Sequence, residues 1–249
     1  MKQFTSEKYF FHYTKLDTLL KILDSGILKF GALPQMNDIT EASKDCYLEC
    51  DDPELANWNN LQLFESRLNM IGQISLAQDD LFPGYALHSM WGHYAEAGEG
   101  CCLVLDKEAI IKEATQLEYH CQKVSYEKDG ADIFIPDKKD VDQYLNKNCN
   151  KLFFQKRKEW EHEQEYRIIN LKCDHSVLNG LQIKNSLLAV LFHTNCKHSI
   201  FDCIYKQKYI EKLGTISALE YLYSGLWGNE NGDAILDKDG NDILKSNNK

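Results

Sequence analysis

Apolar residues recur along the chain with two different spacings. Residues 9–13 form an aromatic run that suits a strand. Leu16, Leu19, Leu20 and Leu23 then repeat at the spacing of one helical face. Thr14 with Asp17 three residues on reads as a capping box opening this helix, and Gly26 supplies its stop. Residues 27–30 suit a short strand, followed by a long loop through Pro34, Asn37 and Asp38 with few apolar anchors, as loops that cover a site have. Further strands are expected at 71–77, 101–105, 121–126, 166–171 and 187–192, the last fully buried. Helices are expected at 87–97, 107–117, 138–160 and 199–213, the third from Val141, Tyr144, Leu145, Leu152 and Phe153. Residues 234–236 and 243–245 flank Asp239 and Gly240, a hairpin signal. Helices and strands mix without regular alternation, which predicts an α+β fold: a mixed or antiparallel central sheet flanked by helices.

Composition narrows this. A chain of 249 residues holds one large domain or two. No repeat, low-complexity tract or linker divides it, so a single domain over 1–249 is expected. Hydrophobic residues at 43% and charged residues at 27% are those of a globular protein. Apolar runs stay short of the roughly 20 residues of a membrane helix, and residues 1–8 lack the apolar centre of a secretory signal, so a cytoplasmic protein without a membrane partner is expected. Nine scattered cysteines do not make a disulfide framework and read as reduced thiols. His193, Cys196 and His198 approach zinc-ligand spacing but lack a second paired half. The acidic turn Asp237, Asp239, Asp242 departs from a calcium loop, and no metal site is expected. A net charge of -10 argues against broad binding to nucleic acid. Lys147, Lys151, Lys156, Arg157 and Lys158 interrupt the acidic chain, either as the solvated face of a helix or as a local contact for an acceptor.

Three stretches could carry chemistry. His12 falls at the end of the first strand beside a helix start, where free backbone N–H groups favour anions such as a diphosphate; the alternative is a histidine bonded within the core. Met90, Trp91, Gly92, His93, Tyr94 and Ala95 could wall a pocket for a flat ring, or simply be core. In the third stretch, Trp160 to Arg167, a strand beginning near Glu163 would line up Glu163, Glu165 and Arg167 on one face, roughly 7 Å apart. They would be either the wet face of an edge strand or paired carboxylates able to bind a ribose hydroxyl and stabilise positive charge on a sugar carbon.

Phe11, His12, Tyr13 and Thr14, then Asn37 and Asp38, then the segment from Met90 to Ala95, then Trp160, Glu163, Glu165, Tyr166 and Arg167 together resemble the bacterial family of domain of unknown function 2971, over about residues 9–195. More distantly, a histidine on a first strand, an aromatic group midway and Glu-x-Glu on a late strand resemble the His-Tyr-Glu pattern of ADP-ribosyltransferases, whose sheet is split. That likeness implies an enzyme using NAD as substrate, a toxin or antiviral effector. His12, with Tyr13 and Thr14, would hold the NAD ribose; Trp91 or Tyr94, near His93, would stack on nicotinamide. Glu165 would stabilise the oxocarbenium-like transition state and Glu163 would face the acceptor, a nucleic acid or protein near Lys151, Lys156, Arg157 and Lys158. Asn37, Asp38 and Arg167 complete the expected binding set. Against the likeness, Glu165 is followed by Tyr166 and Arg167. The other readings are a nucleotide- or nucleic-acid-binding module without turnover and a metal-dependent nuclease or hydrolase.

Overall fold

The strand expected at 9–13 turns out to be the hub of the sheet. The structure, a computed structural model, describes residues 4–36, 46–49, 58–128, 133–136, 140–177, 179–193, 195–196, 218–222 and 235–236. Its strands in chain order are β1 (Tyr9–Thr14), β2 (Ile27–Lys29), β3 (Gly31–Ala32), β4 (Cys46–Glu49), β5 (Gly72–Ala77), β6 (Cys101–Asp106), β7 (His120–Lys123) and β8 (Ser125–Glu127). They continue with β9 (Ile133–Pro136), β10 (Gln155–Arg157), β11 (Glu165–Asn170), β12 (Gly180–Gln182), β13 (Leu187–His193), β14 (Ala218–Leu222) and β15 (Ile235–Leu236). The main sheet runs β15-β14-β13-β6-β1-β5-β11-β7, with β3 on β5. Its neighbours are antiparallel except β13 with β14, so the fold is α+β with a mixed, open sheet.

The pairing is uneven. β1 is matched along its whole length to β6, from Tyr9 with Asp106 to Thr14 with Cys101. β5 is matched along its whole length to β11, from Ala77 with Glu165 to Gly72 with Asn170. Between β1 and β5 only Phe11 and Ala77 are in register. The sheet is thus split between two fully laddered halves, joined there at a single matched pair.

Alternation along the strands explains the layers. Phe10, Ile74, Leu76, Leu103, Leu105, Ile168 and Phe192 face one way and pack under Leu19, Ile22 and Leu23 of the helix Leu16–Ser25 and Ile110 and Ala114 of the helix Lys107–Gln116. Phe11, Tyr13, Ala77, Cys102, Val104 and Leu191 face the other way, under Met90 and Trp91 of the helix His88–Tyr94. Ile169 joins a third cluster with Phe64, Leu68, Val141, Leu145, Leu152 and Phe153 from three further helices.

Several boundaries differ from those the sequence predicts. Thr14 makes no capping box: it is the last residue of β1, Lys15 takes the cap position without a side-chain bond, and Asp17 pairs with Lys21 at 3.2 Å. The stop at Gly26 holds, with φ 72° and its N–H donated to Ile22 O. The helix expected at 138–160 is the helices Val141–Lys147 and Cys149–Phe153, then β10 and the 3-10 turn Lys158–Glu163. The strand expected at 121–126 divides at Val124 into β7, in the main sheet, and β8, paired in parallel with β10. The helix expected at 87–97 stops at Tyr94, before the consecutive left-handed residues Glu96 and Ala97. Ile235–Leu236 is a strand, but it pairs with β14. The expected hairpin residues 239–245, the helix at 199–213, Asn37, Asp38 and His198 lie outside the described residues. No helix among the described residues is long and apolar enough to cross a membrane.

Candidate active site at the seam of the sheet

The opening of β11 decides the site. Glu165 lies opposite Ala77, and Arg167 opposite Ser75, so alternation puts both side chains on the face that also carries Ser75 and Gln73. The strand does not begin near Glu163 as the sequence suggests: Glu163 is the last residue of the 3-10 turn Lys158–Glu163. Gln164 between them is left-handed, at φ 45° and ψ 51°, with its N–H on Glu161 O and its carbonyl accepting from Gln78 N. This kink brings Glu163 over the carboxylate of Glu165, although the two do not share a strand face.

Both carboxylates are buried, at 3% exposure for Glu163 and 4% for Glu165, and Arg167 is at 1%. The wet edge-strand reading therefore fails. β11 lies between β5 and β7, and its opening charges are covered by the helix His88–Tyr94 and the 3-10 turn. Arg167 grips Glu165 with two bonds, Nε to Oε1 at 2.8 Å and a terminal nitrogen to Oε2 at 2.7 Å, and donates a third to Phe153 O. Lys156 Nζ lies 2.7 Å from Glu163 Oε2 and 3.6 Å from Glu165 Oε2, above the Trp160 ring. Lys156 is therefore buried and no part of an exposed acceptor-binding patch, whereas Lys151, Arg157 and Lys158 are exposed. Two carboxylates face two cations, and the quartet is neutral. Burial alone would raise the Glu165 pKa; the charge and bonds of Arg167, helped by Lys156 and Ser75, outweigh it and lower the pKa to about 2.

Tyr94, from the last turn of its helix, donates its hydroxyl to Glu163 Oε1 at 2.6 Å. His12 reaches the same place through the split, where its Nδ1 lies 3.0 Å from Ser75 O. Burial disfavours the imidazolium and lowers the His12 pKa, partly countered by that bond, so the ring is neutral at pH 7. A proton on Nδ1 satisfies the carbonyl and leaves Nε2 as an acceptor. His12, Tyr94, Glu163, Glu165, Lys156 and Gln73 line one cavity of about 90 Å³.

The other expected residues play structural parts, although Tyr13 also lines the cavity. Trp91 is buried core, with its indole N–H on Tyr85 O and its ring edge-on to Tyr13 at 5.1 Å. It has no face left for a ring to stack on. Tyr13 gives its hydroxyl to Gly84 O, Thr14 is taken up in the β1–β6 ladder, and His93 is exposed. Sequence reasoning missed Gln73 and Ser75, whose signal is their alternate placing in the otherwise apolar run of β5. It also missed the role of Lys156. On adjoining turns, Phe82, Leu87, His88 and His162 border a larger hollow of about 490 Å³ beside the one that holds Glu163.

The kink can be tested alone. Gln164→Gly should leave the melting temperature unchanged or raise it slightly, because glycine takes a left-handed conformation without strain. Gln164→Val, β-branched, should lower stability by about 1–3 kcal/mol in thermal melts. Equal stability of both variants would mean that the left-handed geometry is not needed.

A family model described as protein of unknown function (DUF2971) matches residues 90–168. The match runs from the helix with Tyr94 through Lys156, Glu163, Glu165 and Arg167, and leaves out His12 and Gln73. No curated protein and no solved structure matches the chain.

Proposed function

We propose that this chain, whose residues 90–168 match a family model with no activity in its name, is an NAD-consuming enzyme of the ADP-ribosyltransferase kind. The observation that carries the reading is the seam cavity. A neutral histidine from the first strand, an aromatic hydroxyl and two carboxylates, one opening a late strand and one ending the turn before it, converge on it from remote parts of the chain. In such a reaction the bond between the ribose C1′ and the nicotinamide nitrogen breaks, and nicotinamide leaves with the electron pair. An acceptor oxygen or nitrogen, or water, then bonds C1′ and gives up a proton.

The two carboxylates differ in what they have left to offer. A carboxylate has about four acceptor positions. Glu165 meets two Arg167 nitrogens, Gln73 and Ser75, with Lys156 close by. Glu163 meets Tyr94 and Lys156. Glu163 is accordingly the carboxylate that meets the sugar, and Glu165 the clamp that holds the two cations in place. Among the described residues no bond is made to His12 Nε2, which can accept from a ribose hydroxyl. The hollow beside His162 suits the acceptor, because it adjoins the turn that carries Glu163.

At about 90 Å³ the cavity is far too small for a whole dinucleotide, so only the reacting end of NAD would enter it and the adenosine part would stay outside. Two measurements test the reading. NAD at a hundred times its dissociation constant should raise stability by about 2.7 kcal/mol, or the melting temperature by roughly 5–11 °C for a chain of this size. The wild-type chain should also release free nicotinamide from NAD. The neutral charge quartet favours a second reading, a nucleotide-binding module. A melting shift without nicotinamide release under any acceptor condition would establish that reading, and no shift at all would remove both.

A further inference from the structure

Gln73 lines the seam cavity with 4% of its surface exposed. Its Nε2 lies 3.0 Å from Ser75 Oγ and 3.4 Å from Glu165 Oε1. An amide turned end for end keeps its shape, so the bonding must decide its orientation. The Glu165 carboxylate only accepts, and the –NH2 end must therefore face it. The oxygen is then fixed in the opposite sense. It is buried, and among the described residues no donor reaches it. Buried amide oxygens in folded proteins nearly always have a donor. One left without a donor on the wall of a cavity points to a donor that arrives from outside.

We infer that Gln73 is a ligand-reading residue, whose Oε1 accepts a hydrogen bond from the carboxamide –NH2 of the nicotinamide end of NAD. The inference rests on the NAD-consuming reading of the site. A nitrogen or hydroxyl donor would satisfy the amide oxygen equally well, and the remaining walls select between them. Phe11, Met36 and Met90 line the same cavity and offer apolar surface to a flat ring. A ribose is polar all round and would leave hydroxyls unpaired against them. The carboxylic acid analogue of the ring has no donor to give at pH 7, and its charge would meet the Gln73 oxygen with Glu163 and Glu165 nearby. The site should therefore distinguish the amide from the acid.

Calorimetric titration of the full chain with nicotinamide, nicotinic acid and ADP-ribose tests this, for the wild type and for Gln73→Met, with a melting curve for each. The wild type should bind nicotinamide about tenfold or more tighter than nicotinic acid, and Gln73→Met should lose about tenfold for nicotinamide, the worth of one hydrogen bond, with ADP-ribose unchanged. Loss of ADP-ribose affinity in place of nicotinamide would assign the donor to a ribose hydroxyl and overturn the inference. Unchanged binding of both ligands would reduce Gln73 to a brace for Glu165. If Gln73→Met does not fold, equal wild-type affinity for the amide and the acid overturns the inference by itself. A wild type that binds none of these ligands, nor NAD, removes the NAD reading, and the inference with it. That result is distinct from binding without discrimination.

Discussion

Arg167→Met should lower stability by about 3–5 kcal/mol, because it strips a buried carboxylate of its main partner and leaves Phe153 O without its donor. For a chain of this size the melting temperature should fall by roughly 6–20 °C. Glu165→Gln should cost a comparable amount for the mirror reason, since Arg167 then loses the carboxylate that takes two of its bonds. The double variant should cost clearly less than the sum, because removing both charges leaves neither charge of this pair buried without the other. Acid supplies a further check. The folded Glu165 pKa of about 2 lies below its value in the unfolded chain. Its contribution to stability is therefore present above the unfolded value, near 4.3, and is lost as pH falls through about 2. The wild type should lose stability over that window, and Glu165→Gln should lack this component. Single variants within about 1 kcal/mol of the wild type would show that the clamp contributes little.

Glu163→Gln should cut nicotinamide release by on the order of a hundredfold, as the removal of other preorganised charges at a reacting centre does. Its dissociation constant for NAD should change far less, because the charge acts on the transition state more than on the ground state. Its melting temperature should fall less than that of Arg167→Met, since Lys156 keeps Glu165 at 3.6 Å. The comparison variant is Glu165→Gln, assayed at a temperature where it is folded. If activity per folded molecule collapses in Glu165→Gln and survives in Glu163→Gln, the roles assigned to the two carboxylates are reversed.

His12, Glu163 and Glu165 were legible as candidate site residues because each interrupts or ends an apolar pattern with a group that has a reason to be there. Alternation along β11 orients Glu165, but it places neither Glu163, which lies in the turn before the strand, nor His12, whose neighbour Phe11 is the residue that alternation puts on the face of Ala77 and Glu165. The burial of Glu165 was not legible, since it depends on Arg167 and Lys156 reaching it, and Lys156 reads in sequence as one cation in a solvated run. The 3-10 turn and the left-handed Gln164 were hidden for a similar reason. Glu-x-Glu gives the same two-residue spacing in a strand and in a kink, and only the bond from Gln78 N to Gln164 O shows which is present. Trp91 looked like a stacking platform because composition cannot tell an aromatic ring in a cavity from one against Tyr13. The fold class followed from the mixture of spacings. The strand order did not, because the neighbours β1 and β5, or β5 and β11, are far apart in the chain and nothing local records their pairing.

The single matched pair between β1 and β5 has a mechanical consequence. Opening a fully laddered sheet to admit a ligand would break a row of backbone hydrogen bonds in sequence. Here only Phe11 with Ala77 is laddered, and beyond it the gap is spanned by His12 on Ser75 O. Admitting a ligand there would break that one bond and loosen the packing of Phe10 on Tyr166, while the ladders β1–β6 and β5–β11 stay whole.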